Sequence, residues 1–311
     1  MFTTIDFYIP IIPISQAIFN KENSRNSRIM ICKIKKNKNI NSLKKIFILI
    51  FLILIFFNKN ITGKYLNLYI VTHKDFQNKI NNSYYKIICD TKDQLKNKYQ
   101  LEVIESYKNN ELYPKKRGYC EGSKIYYIWK NYKLKNITSR YVGFNHYRRI
   151  FHFQNEIPNL DKIFNRYDVI INKEVDINNT IIKQFSDGHF GTLIDETLEI
   201  IKNKFSEYYS TAINTLNKTT LSFCNIFIMK KKDFIKYGEF VFGILIEFDK
   251  RHNLTNDNDI LNFIQKEINK LGKNNYDLYY QSRQEGFMLE RISNIFNNYH
   301  FKKKFQIVTT N

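Results

Sequence analysis

The stretch of sequence that decides the fold is residues 141–149, YVGFNHYRR. Its first four residues predict a buried strand, and a histidine, a tyrosine and two arginines follow where that strand ends. Because ligands bind at the carboxyl ends of the strands in open α/β sheets, we expect these side chains at a binding edge. Adjacent arginines in such a place suit a phosphate or a carboxylate.

The sequence around this stretch alternates between strand and helix patterns. Strands are predicted at residues 66–71, 141–144, 167–171 and 221–229, and helices at residues 122–132, 195–205, 234–248 and 285–299. This alternation indicates an α/β fold with a largely parallel or mixed sheet. No low-complexity linker or repeat interrupts the chain after residue 63, so residues 64–311 are predicted to form one domain.

Composition and charge leave two interpretations open. Hydrophobic residues make up 43% and aromatic residues 16% of the 311 residues, which is typical of a folded body. The net charge of +20 fits either a functional basic surface or lysines spread over a solvated exterior. A functional basic surface would bind nucleic acid, anionic lipid or a phosphorylated substrate. We favour the solvated exterior, because lysine is mostly exposed in folded proteins.

The N-terminal part of the chain reads as a membrane-directed segment. Residues 1–45 form a basic tail, and residues 46–57 are an apolar block, IFILIFLILIFF. The block is shorter than the roughly 20 residues that span a bilayer comfortably. Its length fits a signal-peptide core, but no small-residue cleavage site follows, and a buried core strand is the alternative. We favour an uncleaved signal-anchor, which predicts a single-pass membrane protein with a cytoplasmic N-terminus.

Several familiar catalytic motifs are missing from the sequence. It has no glycine-rich phosphate loop, which argues against an ATPase or a dinucleotide dehydrogenase, and no Gly-X-Ser-X-Gly or His-Glu-X-X-His motif. Residues 257–259, Asp-Asn-Asp, form a carboxylate pair of the kind that holds a metal diphosphate. They lie in a polar loop before a helical run, so helix capping by aspartate is the favoured interpretation.

The end of the 141–144 strand offers another way to stabilise a diphosphate leaving group. Guanidinium and imidazole groups can neutralise its growing charge, as a metal held by carboxylates would. His146 and Arg148 fit this solution, because alternate residues of a strand point the same way. The alternative is an arginine paired with a nearby acid beside a structural histidine. We favour the functional interpretation because of the surrounding residues.

A second cluster lies at residues 281–291. If this segment is helical, Arg283, Gly286, Phe287 and Glu290 share one face. Glu290 would then be a candidate general base beside an apolar ring. A surface salt-bridge pattern with Phe287 in the core explains the same spacing equally well.

Six ordered blocks together resemble a known family. They are residues 70–74, 119–131, 141–149, 167–170, 225–230 and 283–291. The chain from about Leu66 to Val308 resembles bacterial capsular and exopolysaccharide biosynthesis proteins, glycosyltransferases catalogued as a domain of unknown function. The resemblance implies a GT-A-like α/β fold, with a mixed sheet flanked by helices and preceded here by the hydrophobic anchor. It also implies a nucleotide-sugar-dependent enzyme of the hexosyltransferase class.

The resemblance assigns roles to residues of this chain. It implies that the donor-binding residues are Thr72, His73, Lys74, His146, Arg148, Arg149 and Arg283. His146, Arg148 and Arg149 occupy the usual place of metal-binding carboxylates, while Glu290 or Asp187 would deprotonate the acceptor. The family's acidic pair after a histidine is missing at His189, which is followed by Phe-Gly-Thr-Leu.

The implied partners follow from this reading. They are a nucleotide-sugar donor, a glycan or glycoconjugate acceptor, and the membrane through the N-terminal segment, without nucleic acid. No cofactor is assigned, and a divalent metal such as Mn or Mg stays open. In a eukaryotic cell the anchor would place the protein in the Golgi or another secretory membrane.

Two rival functions remain open. One is a non-catalytic basic protein that binds nucleic acid or a membrane surface, whose affinity would fall steeply with salt. The other is a degenerate transferase that acts as a sugar-binding subunit. The missing acidic pair after His189 is the reason for considering it.

Overall fold

The computed structural model describes residues 65–77, 80, 82–134, 136–151, 153, 159–273 and 275–309. The predicted basic tail of residues 1–45 and the predicted anchor of residues 46–57 lie outside these described residues, so both stay predictions. Within the described residues, none of the helices combines the length and the apolar character needed to cross a membrane.

The described residues contain nine strands and ten α-helices. The strands are β1 Leu66–Val71, β2 Tyr85–Cys89, β3 Glu102–Glu105, β4 Tyr141–His146, β5 Val169–Asn172, β6 Val175–Asp176, β7 Thr220–Leu221, β8 Phe227–Lys230 and β9 Lys304–Ile307. The helices are α1 Lys116–Tyr119, α2 Gly122–Lys133, α3 Leu160–Phe164, α4 Ile181–Gly188, α5 Gly191–Lys204, α6 Tyr209–Leu216, α7 Lys231–His252, α8 Asp257–Leu271, α9 Leu278–Gln281 and α10 Gln284–His300.

Seven strands form one mixed sheet in the order β3-β2-β1-β4-β8-β5-β9. Strand β8 is antiparallel to both of its neighbours, and the other neighbouring pairs are parallel. The predicted mixed α/β sheet is therefore confirmed. In the register, Val71 lies opposite Ile88 on one side and His146 on the other, so β1, β2 and β4 end at the same edge.

The sheet separates two apolar cores, and β1 contributes to both. Leu66, Leu68 and Ile70 pack into one core, while Tyr69 and Val71 pack into the core on the opposite face. A strand that is buried on both sides is mostly apolar rather than alternating, because neither face meets water. This explains why β1 could be predicted from its sequence. The exception in β1 is Asn67, whose buried amide donates a 3.0 Å hydrogen bond to the Ser139 hydroxyl.

The predicted helices are confirmed with longer bounds. Helices α2, α7 and α10 contain the helices predicted there, and α7 extends from Lys231 to His252. Helix α5 begins at Gly191, four residues before the predicted start, and ends at Lys204, one residue before the predicted end. Helix α7 packs very closely on α2, since a Cβ atom at Gly238 would lie 2.1 Å from the Trp129 ring. Only glycine allows this approach.

The prediction of one continuous strand over residues 221–229 is wrong. The structure has two strands there, β7 and β8, separated by a turn in which Cys224 and Asn225 have φ angles of 70° and 47°. The apolar run hides this break, because non-glycine residues with positive φ have no simple sequence signature. Strands β2, β3, β6 and β9 were not predicted either.

A helix is capped near residue 257 as predicted, but the capping residue is an asparagine and not an aspartate. Asn256 caps α8, and its side chain accepts hydrogen bonds from the backbone amides of Asn258 and Asp259. The Asp259 carboxylate accepts a 2.9 Å hydrogen bond from the Thr255 amide, which fastens the preceding turn. Asp257 is left to a different contact, described below.

Candidate active site

A cavity of about 520 Å³ opens at the edge of the sheet where β1, β2 and β4 end. Of the predicted donor-binding residues, the lining includes Thr72, His73, His146, Arg148 and Arg283. Residues from α1, α2 and α8 complete the wall. The structure therefore brings together side chains from distant parts of the sequence at one sheet edge.

The end of β1 forms a tight turn at the cavity. The Thr72 hydroxyl donates a 2.5 Å hydrogen bond to the Lys74 carbonyl and accepts a 3.2 Å hydrogen bond from the Lys74 amide. The Lys74 ammonium lies 5.6 Å from the centre of the Tyr147 ring, beside the cavity lining rather than within it. The Thr72 hydroxyl is thus committed to shaping the turn.

The end of β4 places a guanidinium in the cavity. The Arg148 amide donates to Nδ1 of His146 at 3.2 Å, and the exposed Arg148 guanidinium lies 5.4 Å from the centre of the Tyr147 ring. Arg149 turns away from the lining, and its guanidinium donates to Sγ of Cys224 at 2.7 Å. The two adjacent arginines therefore have different surroundings.

The two histidines in the lining favour the neutral imidazole. Burial lowers the pKa of His146 to about 4, and nearby cations, Arg148 first among them, add to the effect. Burial also lowers the pKa of His73, with Lys124 as the next cause. His146 can therefore exchange hydrogen bonds with a ligand at neutral pH, but the arginines supply the fixed positive charge.

The opposite wall of the cavity carries two more guanidinium groups. Arg117, from the short helix α1, lies 5.1 Å from the centre of the Tyr279 ring. Nε of Arg283 donates a 3.2 Å hydrogen bond to Sγ of Cys120. In the part of the chain that the structure describes, neither guanidinium forms an ion pair with a carboxylate, and neither does that of Arg148.

The site was predicted without Arg117. The sequence around residues 116–118 reads as a loop, and nothing in its local pattern brings it to the ends of β1 and β4. Arg117 could have been suggested only by its position, two residues before the block of residues 119–131.

An ion pair closes the inner part of the cavity. Nζ of Lys124 lies 2.6 Å from Oδ1 of Asp90, and the two side chains are only 4% and 6% exposed. Asp90 follows β2, and Lys124 belongs to the first turn of α2, so the pair joins the sheet edge to this helix. The two charges compensate each other, which removes both from the free charge of the cavity.

The two predicted bases do not line the cavity. Glu290 accepts a 2.9 Å hydrogen bond from the Cys224 amide at Oε1 and a 3.0 Å hydrogen bond from Arg291 at Oε2. The Asp187 carboxylate pairs with the Lys183 ammonium one turn away on α4, and both side chains are about half exposed. Glu290 therefore fixes the turn between β7 and β8, and Asp187 belongs to a surface ion pair.

The residues at the end of β4 do not fit a divalent cation. Mg²⁺ and Mn²⁺ favour carboxylate, carbonyl and water oxygens, whereas this position carries His146 and the positively charged Arg148. Among the described residues, no group of three or more histidine, cysteine, aspartate or glutamate side chains could hold a metal ion. At the end of β4, positive and imidazole side chains therefore stand where carboxylates would be needed to hold a metal.

His189 lies in a separate, buried pocket. It is 5% exposed, its Nδ1 lies 3.1 Å from Oε1 of Gln281, and its ring stacks on Phe287 at 3.9 Å. Burial lowers its pKa to about 4, with Arg291 and Arg283 contributing. These contacts give His189 a packing role at the junction between α4 and α10.

Acidification should therefore destabilise the protein through His189. An imidazole with a pKa of about 4 when folded and about 6.5 when unfolded binds its proton more tightly in the unfolded chain. Above about pH 6.5 protonation of His189 does not reduce the free energy of unfolding, and below that pH the free energy of unfolding falls as the pH drops toward 4. Between pH 7 and pH 4 we expect His189 to account for a loss of about 2–3 kcal/mol.

Urea unfolding of the wild type and of His189→Phe at these two pH values measures this loss. The phenylalanine keeps the ring stack on Phe287 but cannot take up a proton. Its free energy of unfolding should fall less between pH 7 and pH 4 than that of the wild type. An equal fall in both proteins would contradict the assignment.

Comparison with known proteins gives the fold and the family of this chain. A solved structure, the WbbM bifunctional glycosyltransferase in its apo form, matches with a TM-score of 0.56 and 19% sequence identity. The match covers 79% of this chain and 46% of that chain, so this chain spans less than half the length of that protein. No curated protein matches the sequence. The family described as "Domain of unknown function (DUF4422)" matches residues 67–303, which is most of the chain, and the protein therefore belongs to this family.

Proposed function

We propose that this protein is a glycosyltransferase that moves a sugar from a nucleotide-sugar donor to a hydroxyl of a glycan acceptor. The observation that carries the proposal is the set of three guanidinium groups around one cavity. Arg117, Arg148 and Arg283 line it without a carboxylate partner in the described part of the chain. Unpaired guanidinium groups that face a common space suit an anionic ligand with several oxygens.

The chemistry of sugar transfer requires such a group of charges. When the bond from the sugar to the diphosphate breaks, negative charge grows on the leaving oxygen and must be stabilised. Fixed cations aimed at that charge lower the barrier, because they need no rearrangement during the reaction. Arg148 and Arg283 would contact the diphosphate, and neutral His146 would hydrogen-bond to it. The fold shared with a glycosyltransferase supports the same function.

A donor screen tests the proposal. The full chain is incubated with a panel of nucleotide-sugars, with and without EDTA, and release of the nucleoside diphosphate is measured. We expect release from at least one donor, and we expect it to persist in EDTA because arginines replace the metal. Binding of a donor without turnover would favour the sugar-binding subunit. Neither binding nor turnover across the panel would contradict the proposal.

A further inference from the structure

Glu121 is a carboxylate of the cavity wall whose charge is not balanced by an ion pair within the described residues. The other two carboxylates of the lining are engaged. Asp90 pairs with Lys124 at 2.6 Å, and Asp257 accepts a 3.0 Å hydrogen bond from the Arg117 amide. Glu121 and Asp257 are therefore the lining carboxylates without a counter-ion in the described residues, and Glu121 is the one whose side chain a neutral amide holds in place.

A neutral amide holds the Glu121 side chain in place. Nδ2 of Asn225 donates to Oε1 of Glu121 at 3.2 Å, while Oδ1 of Asn225 accepts a 2.8 Å hydrogen bond from Ser293. The Ser293 hydroxyl is in turn 2.8 Å from the Tyr237 hydroxyl. This chain of hydrogen bonds fixes the carboxylate without neutralising it, because none of its members is a cation.

The backbone on both sides of this contact has an uncommon conformation. Cys120, which precedes Glu121, has a φ of 50°, and Asn225, which donates to it, has a φ of 47°. Non-glycine residues in this region carry a conformational cost, and such costs are found at functional sites. The two segments meet at the Glu121 carboxylate.

The surroundings of Glu121 raise its affinity for a proton. Burial raises the pKa of its carboxyl group, and the Glu290 carboxylate adds to this effect, while Asn225 and Arg283 oppose it. The other titratable groups that interact with it are Cys120, Cys224 and Tyr237. A carboxylate with a raised pKa is a better general base near neutral pH than an ordinary one.

We propose that Glu121 is the general base that activates the acceptor, an inference that rests on the proposed transferase function. Glu121 takes the proton of the acceptor hydroxyl, and the acceptor oxygen forms a bond to the anomeric carbon. The bond from that carbon to the diphosphate oxygen breaks, and its electron pair leaves on the diphosphate, beside Arg148 and Arg283. This role replaces those predicted for Glu290 and Asp187.

The variant Glu121→Gln tests the proposal, with water as the acceptor. Glutamine can still accept the hydrogen bond from Asn225, but it cannot take a proton at neutral pH. For the donor that the wild type hydrolyses, we expect turnover to fall about 10²- to 10⁴-fold. The acidic limb of the wild-type pH–rate profile should disappear. The Kd of the nucleoside diphosphate should change by less than about threefold, which is below 1 kcal/mol.

The variant Glu121→Asp covers the case in which glutamine disturbs folding. It keeps the charge but withdraws the carboxylate by one methylene, so turnover should fall at least about tenfold with the acidic limb retained. Three results would overturn the proposal: turnover of Glu121→Gln within about fivefold of the wild type, equal losses of turnover and nucleotide binding, or a sugar trapped covalently on Glu121. If the wild type hydrolyses no donor, the transferase function itself fails.

Discussion

Turnover of the nucleotide-sugar donor is expected to fall about 100- to 1000-fold when Arg148 is replaced by alanine, with the fold intact. The Arg148 guanidinium is exposed in the cavity, and its central carbon lies 5.4 Å from the centre of the Tyr147 ring. Its removal therefore leaves no buried polar group without a partner. It lies where the charge of the departing diphosphate would grow. Release of nucleoside diphosphate by the purified full chain measures the effect.

Arg140→Ala is the matched control for this prediction. Arg140 immediately precedes the same strand at its opposite end, and its side chain is 64% exposed in a 2.8 Å ion pair with Asp161. Removing it also lowers the net charge by one but leaves the cavity unchanged. We expect turnover close to that of the wild type. Similar losses in Arg140→Ala and Arg148→Ala would mean that overall charge, rather than position, governs the rate.

The largest effect on stability is expected from Lys115→Met. The Lys115 ammonium pairs with the Asp249 carboxylate, and the two side chains are 10% and 3% exposed. Asp249 also accepts a 2.7 Å hydrogen bond from the Tyr119 hydroxyl. The Glu285 carboxyl group is fully buried beside this pair, and burial together with the Asp249 charge raises its pKa to about 8.

Removing the ammonium leaves the Asp249 charge buried without its counter-ion. Breaking a buried pair in this way costs about 3–5 kcal/mol, because desolvation of the remaining charge is no longer offset. The fluorescence of Trp129, the only tryptophan of the chain, reports unfolding in urea, since this ring is packed in the core. The urea concentration at the unfolding midpoint should be lower for Lys115→Met than for the wild type.

Lys183→Met provides the control on stability. Lys183 pairs with Asp187 on α4, and the two side chains are 58% and 51% exposed, so water already solvates both charges. Loss of an exposed pair costs at most about 1 kcal/mol. An equally small loss for Lys115→Met would show that the buried pair of Lys115 with Asp249 does not support the fold.

The mixed α/β class and the central strands β1 and β4 could be predicted from the sequence. Five of the six residues of strand β1 are apolar, Asn67 being the exception, because both of its faces are buried, and residues 141–149 show a strand followed by charged residues. The helices have clear amphipathic patterns over several turns. Local patterns of this kind carry enough information to give the fold class and the sheet edge at which the cavity opens.

The details of the site depend on contacts between distant segments. Arg117 reaches the cavity only because α1 packs against the start of α10. The choice between Glu121 and Glu290 depends on the turn at Cys224, whose amide engages Glu290. In that turn Cys224 and Asn225 have positive φ angles, and no pattern in the surrounding apolar residues predicts a turn there. The sequence therefore pointed to Glu290, which does not line the cavity, and not to Glu121, which does.

The most direct test of the central claim is calorimetric titration of nucleoside diphosphates into the full chain in EDTA. The account predicts binding of at least one nucleoside diphosphate, weakening with added salt, and at least about tenfold weaker in Arg148→Ala/Arg283→Ala. Binding that is unchanged in this double variant, or no binding of any nucleoside diphosphate, would contradict the claim that these guanidinium groups hold the diphosphate of an activated sugar.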